Sequence, residues 1–77
     1  MVQHNMVTLE GTIISHVSGR KFTVRIDNGD YEGKTIVALQ SGASYYNGIL
    51  YQKGDKVAVD YKIIFPENSV ITYRINK

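Results

Sequence analysis

The strongest constraint on this chain is the order of its alternating apolar and polar residues. Five short runs alternate with the period of two that a half-buried β-strand produces, and turn residues separate them. Residues 41–51 interrupt the series between the third and fourth runs and do not alternate. The pattern predicts an all-β domain with a short helix after its third strand.

The first run, Val7 to His16, contains a glycine. Val7, Leu9 and Ile13 share one parity, and Gly11 lies between them. A glycine inside a strand often marks a bulge or a sharp bend. We therefore expect a long first strand, bent at Gly11, that contributes to both sides of a barrel.

The other four strands follow the same alternation. The second and fourth have apolar faces made of Phe22, Val24 and Ile26 and of Val57, Val59, Tyr61 and Ile63, respectively. The third spans Lys34 to Leu39 and the fifth Ser69 to Ile75. Asn28-Gly29 is a strong hairpin signal, but Asp30–Gly33 follows it and predicts a longer connection. Pro66–Asn68 closes the last hairpin.

The non-alternating segment predicts one or two helical turns. Ser41 or Ser44 can cap such a helix at its N-terminus. Gly48 weakens any continuation, because glycine is a poor helix former.

Three strands, a short helix and two more strands is the element order of an OB-fold. The prediction is a five-stranded OB-fold β-barrel with a short helix between strands 3 and 4. An SH3-like barrel is the alternative, although its longest connection does not usually lie between the third and fourth strands. We expect residues 1–77 to form one domain, with residues 1–5 as a flexible N-terminus.

Composition argues against several classes of function. The 77 residues include no cysteine, so disulfides, thiolate metal sites and a cysteine nucleophile are excluded. His4 and His16 match no metal-ligand or catalytic-triad spacing, and no Walker-type phosphate loop occurs. The expectation is a binding protein without catalysis, metal or cofactor.

The same features bear on location and partner. A small domain without disulfides favours a reducing, cytoplasmic location, and no apolar run has the length of a signal peptide or a membrane span. The net charge of +2 is compatible with a polyanionic partner. Six tyrosines in so short a chain are more informative, because exposed aromatic rings can stack on bases.

In their order along the chain, several short motifs resemble one known family. They are Leu9-Glu10-Gly11-Thr12, Phe22-x-Val24, Asn28-Gly29, Ala38 with Ser41-Gly42, Ile49, Gly54-Asp55-Lys56-Val57 and Ile71-Thr72-Tyr73-Arg74. From Val7 to Lys77 the chain resembles bacterial translation initiation factor 1, a single-domain OB protein. The resemblance implies binding to the small ribosomal subunit during initiation, through its rRNA, and control of access of the initiator tRNA.

The chain departs from that family at positions that bear on binding. Ala43-Ser44-Tyr45 stands where the family typically has a basic segment of the form Lys-Met-Arg. Val70 replaces the basic residue before Ile-Thr-Tyr-Arg, and the second hairpin carries about four extra residues around 30–33. Because Lys and Arg supply much of the affinity for phosphate, we expect these changes to weaken the binding of rRNA or to redirect it.

An OB barrel binds across strands 2 and 3, and the loops between strands 1 and 2 and between strands 4 and 5 border this surface. On that template the candidate nucleic-acid-binding residues are Arg20, Lys21, Thr23, Arg25, Tyr31, Lys34, Tyr45, Tyr46, Lys62 and Arg74. Phe22 is expected in the core. One of Tyr45 and Tyr46 is expected to plug the barrel end while the other faces water, with stacking on RNA or packing on a ribosomal protein as the functional alternative. Arg74 is included among the candidates mainly because of the resemblance.

Three classes of function follow from these observations. The first is a monomeric initiation factor that binds small-subunit rRNA, with other initiation factors as further partners and no membrane association. The second is a general binder of single-stranded nucleic acid, although the clustered Phe/Tyr motifs of cold-shock proteins are absent. The third is a protein–protein module, which the weak charge and tyrosine-rich helix segment would suit.

Overall fold

Five strands close into a barrel in the computed structural model, which describes residues 5–75. The elements in chain order are β1 (Met6–Ser18), β2 (Lys21–Ile26), a 3-10 turn at Gly29–Tyr31, β3 (Thr35–Gln40), α1 (Gly42–Tyr46), β4 (Lys56–Lys62), a second 3-10 turn at Pro66–Asn68 and β5 (Val70–Arg74). The strands are joined in the order β1-β2-β3-β5-β4. This arrangement confirms the predicted OB-fold, including the helix between the third and fourth strands.

β1 is long enough to serve two neighbours. Residues 6–12 pair with β4, and residues 11–18 pair with β2. Gly11 lies at the crossover and is buried. A Cβ atom at this position would lie 2.6 Å from Val24 Cγ1 and 3.0 Å from the Arg25 carbonyl oxygen. Glycine therefore allows two strands to approach β1 at its bend, as the sequence predicts.

Alternation along the strands fills the barrel. Phe22, Val24 and Ile26 of β2 are buried, while Lys21 and Arg25 are exposed. The apolar core consists of Leu9, Ile13, Phe22, Val24, Ile26, Ile36, Ala38, Tyr51, Val57, Val59, Tyr61 and Ile71. Burial of these side chains drives folding. The alternate residues of β2, which are polar, therefore face outward.

The alternation predicted for β4 is wrong at its last residue. The β1–β4 ladder ends where Met6 pairs with Lys62, so Ile63 lies beyond the sheet. Its side chain is 36% exposed instead of facing the core. The amide of Ile63 donates to the carbonyl oxygen of Asn5 at 2.8 Å, which holds the chain beside the start of β1.

Other boundaries differ by one residue. β3 begins and ends one residue later than predicted, and β5 is one residue shorter at each end. Of the segment 1–5 expected to be flexible, residues 1–4 lie outside the described residues. Across residues 5–75, no helix has the length and apolar character required to span a membrane.

Candidate nucleic-acid interface

The outer face of β2 and β3 carries the first candidate residues. Lys21, Thr23 and Arg25 lie on it because they alternate with the buried residues of β2. Their partners on β3 are, in the same order, Leu39, Val37 and Thr35. The face is therefore a polar and aliphatic strip with a cation near each end.

Arg20 and Tyr45 meet where the β1–β2 turn reaches α1. The main-chain carbonyl of Arg20 accepts a hydrogen bond from the amide of Gln40 at 2.7 Å, which ties the turn to the end of β3. The guanidinium carbon of Arg20 lies 5.7 Å from the centroid of the Tyr45 ring. This is a cation–π distance. A positive charge and an aromatic ring thus lie together beside the β2–β3 face.

Local capping explains how Tyr45 reaches that place. Ser41 is the N-cap of α1, and its hydroxyl accepts a hydrogen bond from the amide of Ser44 at 3.2 Å. Because Ser44 is buried on the inner side of the helix, the next residue turns outward. Of the two caps that the sequence allows, Ser41 is the one used.

The expectation that Tyr45 or Tyr46 plugs the barrel end is wrong. Their side chains are 52% and 86% exposed, and the two rings contact each other edge-on with centroids 5.9 Å apart. Tyr51 lies in the core instead, edge-on against Phe22 at 5.7 Å. The reason is the length of α1, which ends at Tyr46 and leaves the following chain to close the barrel.

Tyr31 and Lys34 lie at the opposite end of the β2–β3 pair from Arg20. Tyr31 is half-buried, and its ring lies 4.6 Å from the ring of Tyr61 between centroids, so it packs on the core. Lys34 is exposed, and its carbonyl accepts from the amide of Ile26 at 2.8 Å. Lys34 therefore lies opposite Ile26 at this end of the strand pair and is open to solvent, whereas much of the Tyr31 ring is occupied by packing.

Arg25 belongs to a charged network around Asp27. One carboxylate oxygen of Asp27 accepts from Arg25 Nε at 3.1 Å, and the other accepts from Lys56 Nζ at 3.0 Å and from the Thr12 hydroxyl at 2.5 Å. Burial by itself raises the pKa of Asp27, but the three hydrogen bonds outweigh it and hold that pKa below its usual range. The network neutralises part of the Arg25 charge.

Lys62 and Arg74 belong to β4 and β5 and lie outside the β2–β3 face. Lys62, at the end of β4, is half-buried, and its Nζ lies 3.5 Å from Met6 Sδ. Arg74 faces Val57 across the β4–β5 ladder and forms an ion pair with Asp55 at 3.5 Å. The candidates therefore fall into separate groups. Arg20, Lys21, Tyr45 and Tyr46 lie at one end of the face, and Arg25, Tyr31 and Lys34 lie at the other. Arg74 lines a recess beside α1 with Ala43, Ser44 and Asn47, and Lys62 lies apart from the rest.

The β4–β5 connection carries exposed residues that are absent from the predicted set. The side chains of Ile64 and Phe65 are 58% and 57% exposed. Their signal in the sequence is a run of three apolar residues before Pro66, which a strand of period two cannot bury entirely. The predicted alternation places the first of them, Ile63, in the core.

No metal centre is apparent within residues 5–75, where no three His, Asp or Glu side chains cluster as ligands. The ring of His16 lies against Phe22 with centroids 4.9 Å apart, and its Nε2 is 2.9 Å from the Gly19 carbonyl oxygen. These contacts hold His16 at the end of β1, beside the β1–β2 turn. His4 lies outside the described residues.

Comparison with known proteins adds sequence relatives. The chain is 34% identical over 68 residues to translation initiation factor IF-1 of Aster yellows witches'-broom phytoplasma (strain AYWB) and of Onion yellows phytoplasma (strain OY-M). Each alignment covers 88% of this chain and 82% of the relative. No family model matches the chain.

Solved structures share the fold. The solution structure of translation initiation factor 1 from the Wolbachia endosymbiont (strain TRS) of Brugia malayi has a TM-score of 0.69 at 23% identity, over 95% of this chain and 82% of that one. The crystal structure of YjeQ from Thermotoga maritima has a TM-score of 0.70 at 18% identity. The match covers 92% of this chain but spans only 23% of YjeQ. At these identities the structural matches establish a common barrel.

Proposed function

The chain belongs to the translation initiation factor IF-1 family, and from this membership we propose that its barrel binds RNA of the small ribosomal subunit during initiation. The observation that carries the mode of binding is the pair formed by Arg20 and Tyr45 beside the β2–β3 face. A cation that follows phosphates and a ring that stacks on a base are the two parts of a site for unpaired RNA.

Binding on this face is mainly electrostatic. Lys21 projects outward next to Arg20, and Arg25 and Lys34 extend the positive charge to the far end of the strand pair. A β2 strand of six residues spans about 20 Å. Cations spread over that length match a path of several phosphates, and the release of counterions from them favours binding.

The departures from the family change the residues that are available to contact RNA around α1. Residues 41–52 carry no charged side chain, so the positive charges beside α1 come from Arg20 and from Arg74, which is paired with Asp55. Tyr45 stands at the last position of the family's basic segment and lies against Arg20. The expected result is a contact in which stacking replaces part of the lost charge.

We extend the proposal to finer features by analogy with the family. The protein acts by binding, without catalysis, as a cytoplasmic monomer, and it shares the small subunit with other initiation factors. In this role it helps to control access of the initiator tRNA.

Titration of the labelled protein into small ribosomal subunits, and separately into an unstructured RNA oligonucleotide, tests the proposal. Each titration is made at low and at moderate salt. Saturable subunit binding that the phytoplasma IF-1 competes away is the expected outcome. Equal affinity for the oligonucleotide and the subunit, with no competition, would instead indicate a general single-strand binder.

The exposure of α1 favours one second candidate function, which is docking on a protein of the subunit. Tyr46 and Leu50 are 86% and 76% exposed on an uncharged segment, a composition that suits a protein contact. A Tyr46→Ser variant distinguishes the two. Weaker subunit binding with unchanged oligonucleotide binding would favour a protein contact, whereas equal weakening of both would favour RNA.

A further inference from the structure

The β4–β5 connection surrounds a recess of about 310 Å³ that lies outside the groups of candidate residues at the two ends of the β2–β3 face. It is lined by Asn5, Lys62, Ile64, Phe65 and Asn68. We propose that this recess binds one unstacked base of single-stranded RNA, with Phe65 as the stacking surface. The inference rests on the proposed function, since it assigns a further contact to the same RNA-binding surface.

The chemistry of the lining suits a base. Phe65 offers an exposed aromatic ring, and Ile64 adds an apolar side chain next to it. The amides of Asn5 and Asn68 supply both donors and acceptors, which is what the edge of an unpaired base requires. Lys62 supplies a positive charge for the adjoining phosphate.

The recess adjoins the β2–β3 face through a residue that it shares with a second recess. Asn68 also lines a second recess, of about 340 Å³, together with Lys21, Val37, Ala38, Leu39 and Glu67. Both recesses therefore share a wall formed by the second 3-10 turn. A strand of RNA that follows the outer face past Lys21 reaches Phe65 by crossing that turn, and this adjacency favours RNA over a protein as the occupant.

The connection is held in place without RNA. The amide of Lys62 donates to the hydroxyl of the fully buried Ser69 at 2.9 Å, which ties the two ends of the connection together. The carbonyl of Phe65 accepts from the amide of Asn68 at 2.8 Å. Pro66 opens the 3-10 turn and restricts the backbone of Phe65 before it. The ring is thus presented on a backbone that is already ordered, which reduces the entropy lost on binding.

Fluorescence tests the stacking directly, because the chain contains no tryptophan. In a Phe65→Trp variant the indole is expected to be quenched when an eight-nucleotide oligouridine or oligoadenosine is added. A Lys53→Trp variant is the control, since Lys53 is exposed in the turn before β4 and lines neither recess. Its emission should not change. Unchanged emission of Phe65→Trp at RNA concentrations that saturate binding would overturn the proposal.

Affinity provides the second measurement. Phe65→Leu keeps an apolar side chain but removes the ring, and we expect it to weaken binding to the oligonucleotides and to small subunits by about 5-fold or more. Lys53→Leu should stay within about 2-fold of the wild type. Circular dichroism checks that both variants fold.

The outcomes separate this inference from the proposed function. Failure of the wild type to bind small subunits would contradict the proposed function, while quenching by oligonucleotides would still support the base site. If Phe65→Leu loses subunit binding alone and Phe65→Trp is not quenched by RNA, the recess contacts a protein and the base site is wrong. If neither Phe65 variant differs from its Lys53 control, Phe65 has no part in binding.

Discussion

At the scale of single residues, the role of the Asp27 side chain depends on a cation, Lys56, that is distant in sequence. The sequence indicates a turn former, because Asp27 precedes Asn28-Gly29. In the structure its side chain is only 16% exposed and accepts hydrogen bonds from Thr12, Arg25 and Lys56. Lys56 lies 29 residues away, so no local pattern could have predicted the network.

Asp27→Asn should lower the free energy of unfolding at neutral pH by about 1–2 kcal/mol, because charge-assisted hydrogen bonds are lost and the half-exposed cations are partly screened. The pKa of Asp27 is lowered in the folded state. Its contribution is therefore complete above the unfolded pKa of about 3.9 and disappears as the pH falls through the lower folded pKa.

Urea unfolding of the wild type and Asp27→Asn across that range measures the effect. The difference between the two proteins should be constant from about pH 7 to pH 5 and should shrink below about pH 4. Asp30→Asn, at an exposed position in the neighbouring turn, is the control and should show little difference at any pH. A gap that persists undiminished to about pH 2 would contradict the proposed role of the carboxylate.

The absence of a side chain at Gly11 allows three strands to approach one another closely. Gly11→Ala should lower the free energy of unfolding by about 1–3 kcal/mol, since the added methyl group would meet Val24 Cγ1 at 2.6 Å and the Arg25 carbonyl at 3.0 Å. Gly42→Ala is the matched control, because its nearest neighbour is the flexible end of Arg20 at 3.9 Å. Chemical denaturation should show this control to be neutral or slightly stabilising. Equal stabilities of the two variants would show that β1 can shift.

At the scale of elements, the sequence predicts which segments are strands but not where each one stops. Alternation identifies the buried face of β2 without error, because Phe22, Val24 and Ile26 all lie inside. It fails at Ile63, where the end of the β1 ladder, and not the residue itself, decides exposure. Boundaries depend on partners that are distant in sequence, and period alone does not report them.

The helix α1 is too short to be stable without its cap. Its five residues form little more than one turn, and helices of this length are unstable in isolation. Ser41→Ala should therefore lower stability by about 1 kcal/mol, since it removes the hydroxyl that accepts from the Ser44 amide. Ser41→Asp keeps an acceptor and should retain the wild-type stability.

Thermal unfolding and amide exchange measure this change together. The Ser44 amide should exchange faster in Ser41→Ala than in the wild type, while amides in the middle of β1 should change less, because the opening is local. A uniform increase in exchange across the barrel would show that the cap supports the whole fold and not only α1.

At the scale of the whole molecule, the candidate interface was only partly predictable. The sequence identifies outward cations on β2, since parity fixes the side on which Lys21 and Arg25 lie. It does not show that Arg25 is paired with Asp27, that Tyr31 packs on Tyr61, or that Phe65 is exposed. Those facts depend on contacts across the barrel. A count of Lys and Arg residues in the sequence therefore overstates how many cations are available to RNA.

The salt dependence of RNA binding should reflect this difference between outward and paired cations. Lys21→Ala should make the slope of log affinity against log salt shallower by about 0.7–0.9, the contribution of one phosphate contact. Arg74→Ala should change the slope less, because Arg74 is already paired with Asp55 and must exchange that partner for a phosphate. Lys53→Ala, in the exposed turn before β4, is the control and should leave the slope unchanged.

Titration of small subunits over a range of potassium chloride concentrations gives the slopes. Equal changes for all three variants would mean that the net charge of the molecule, and not the β2–β3 face, determines binding.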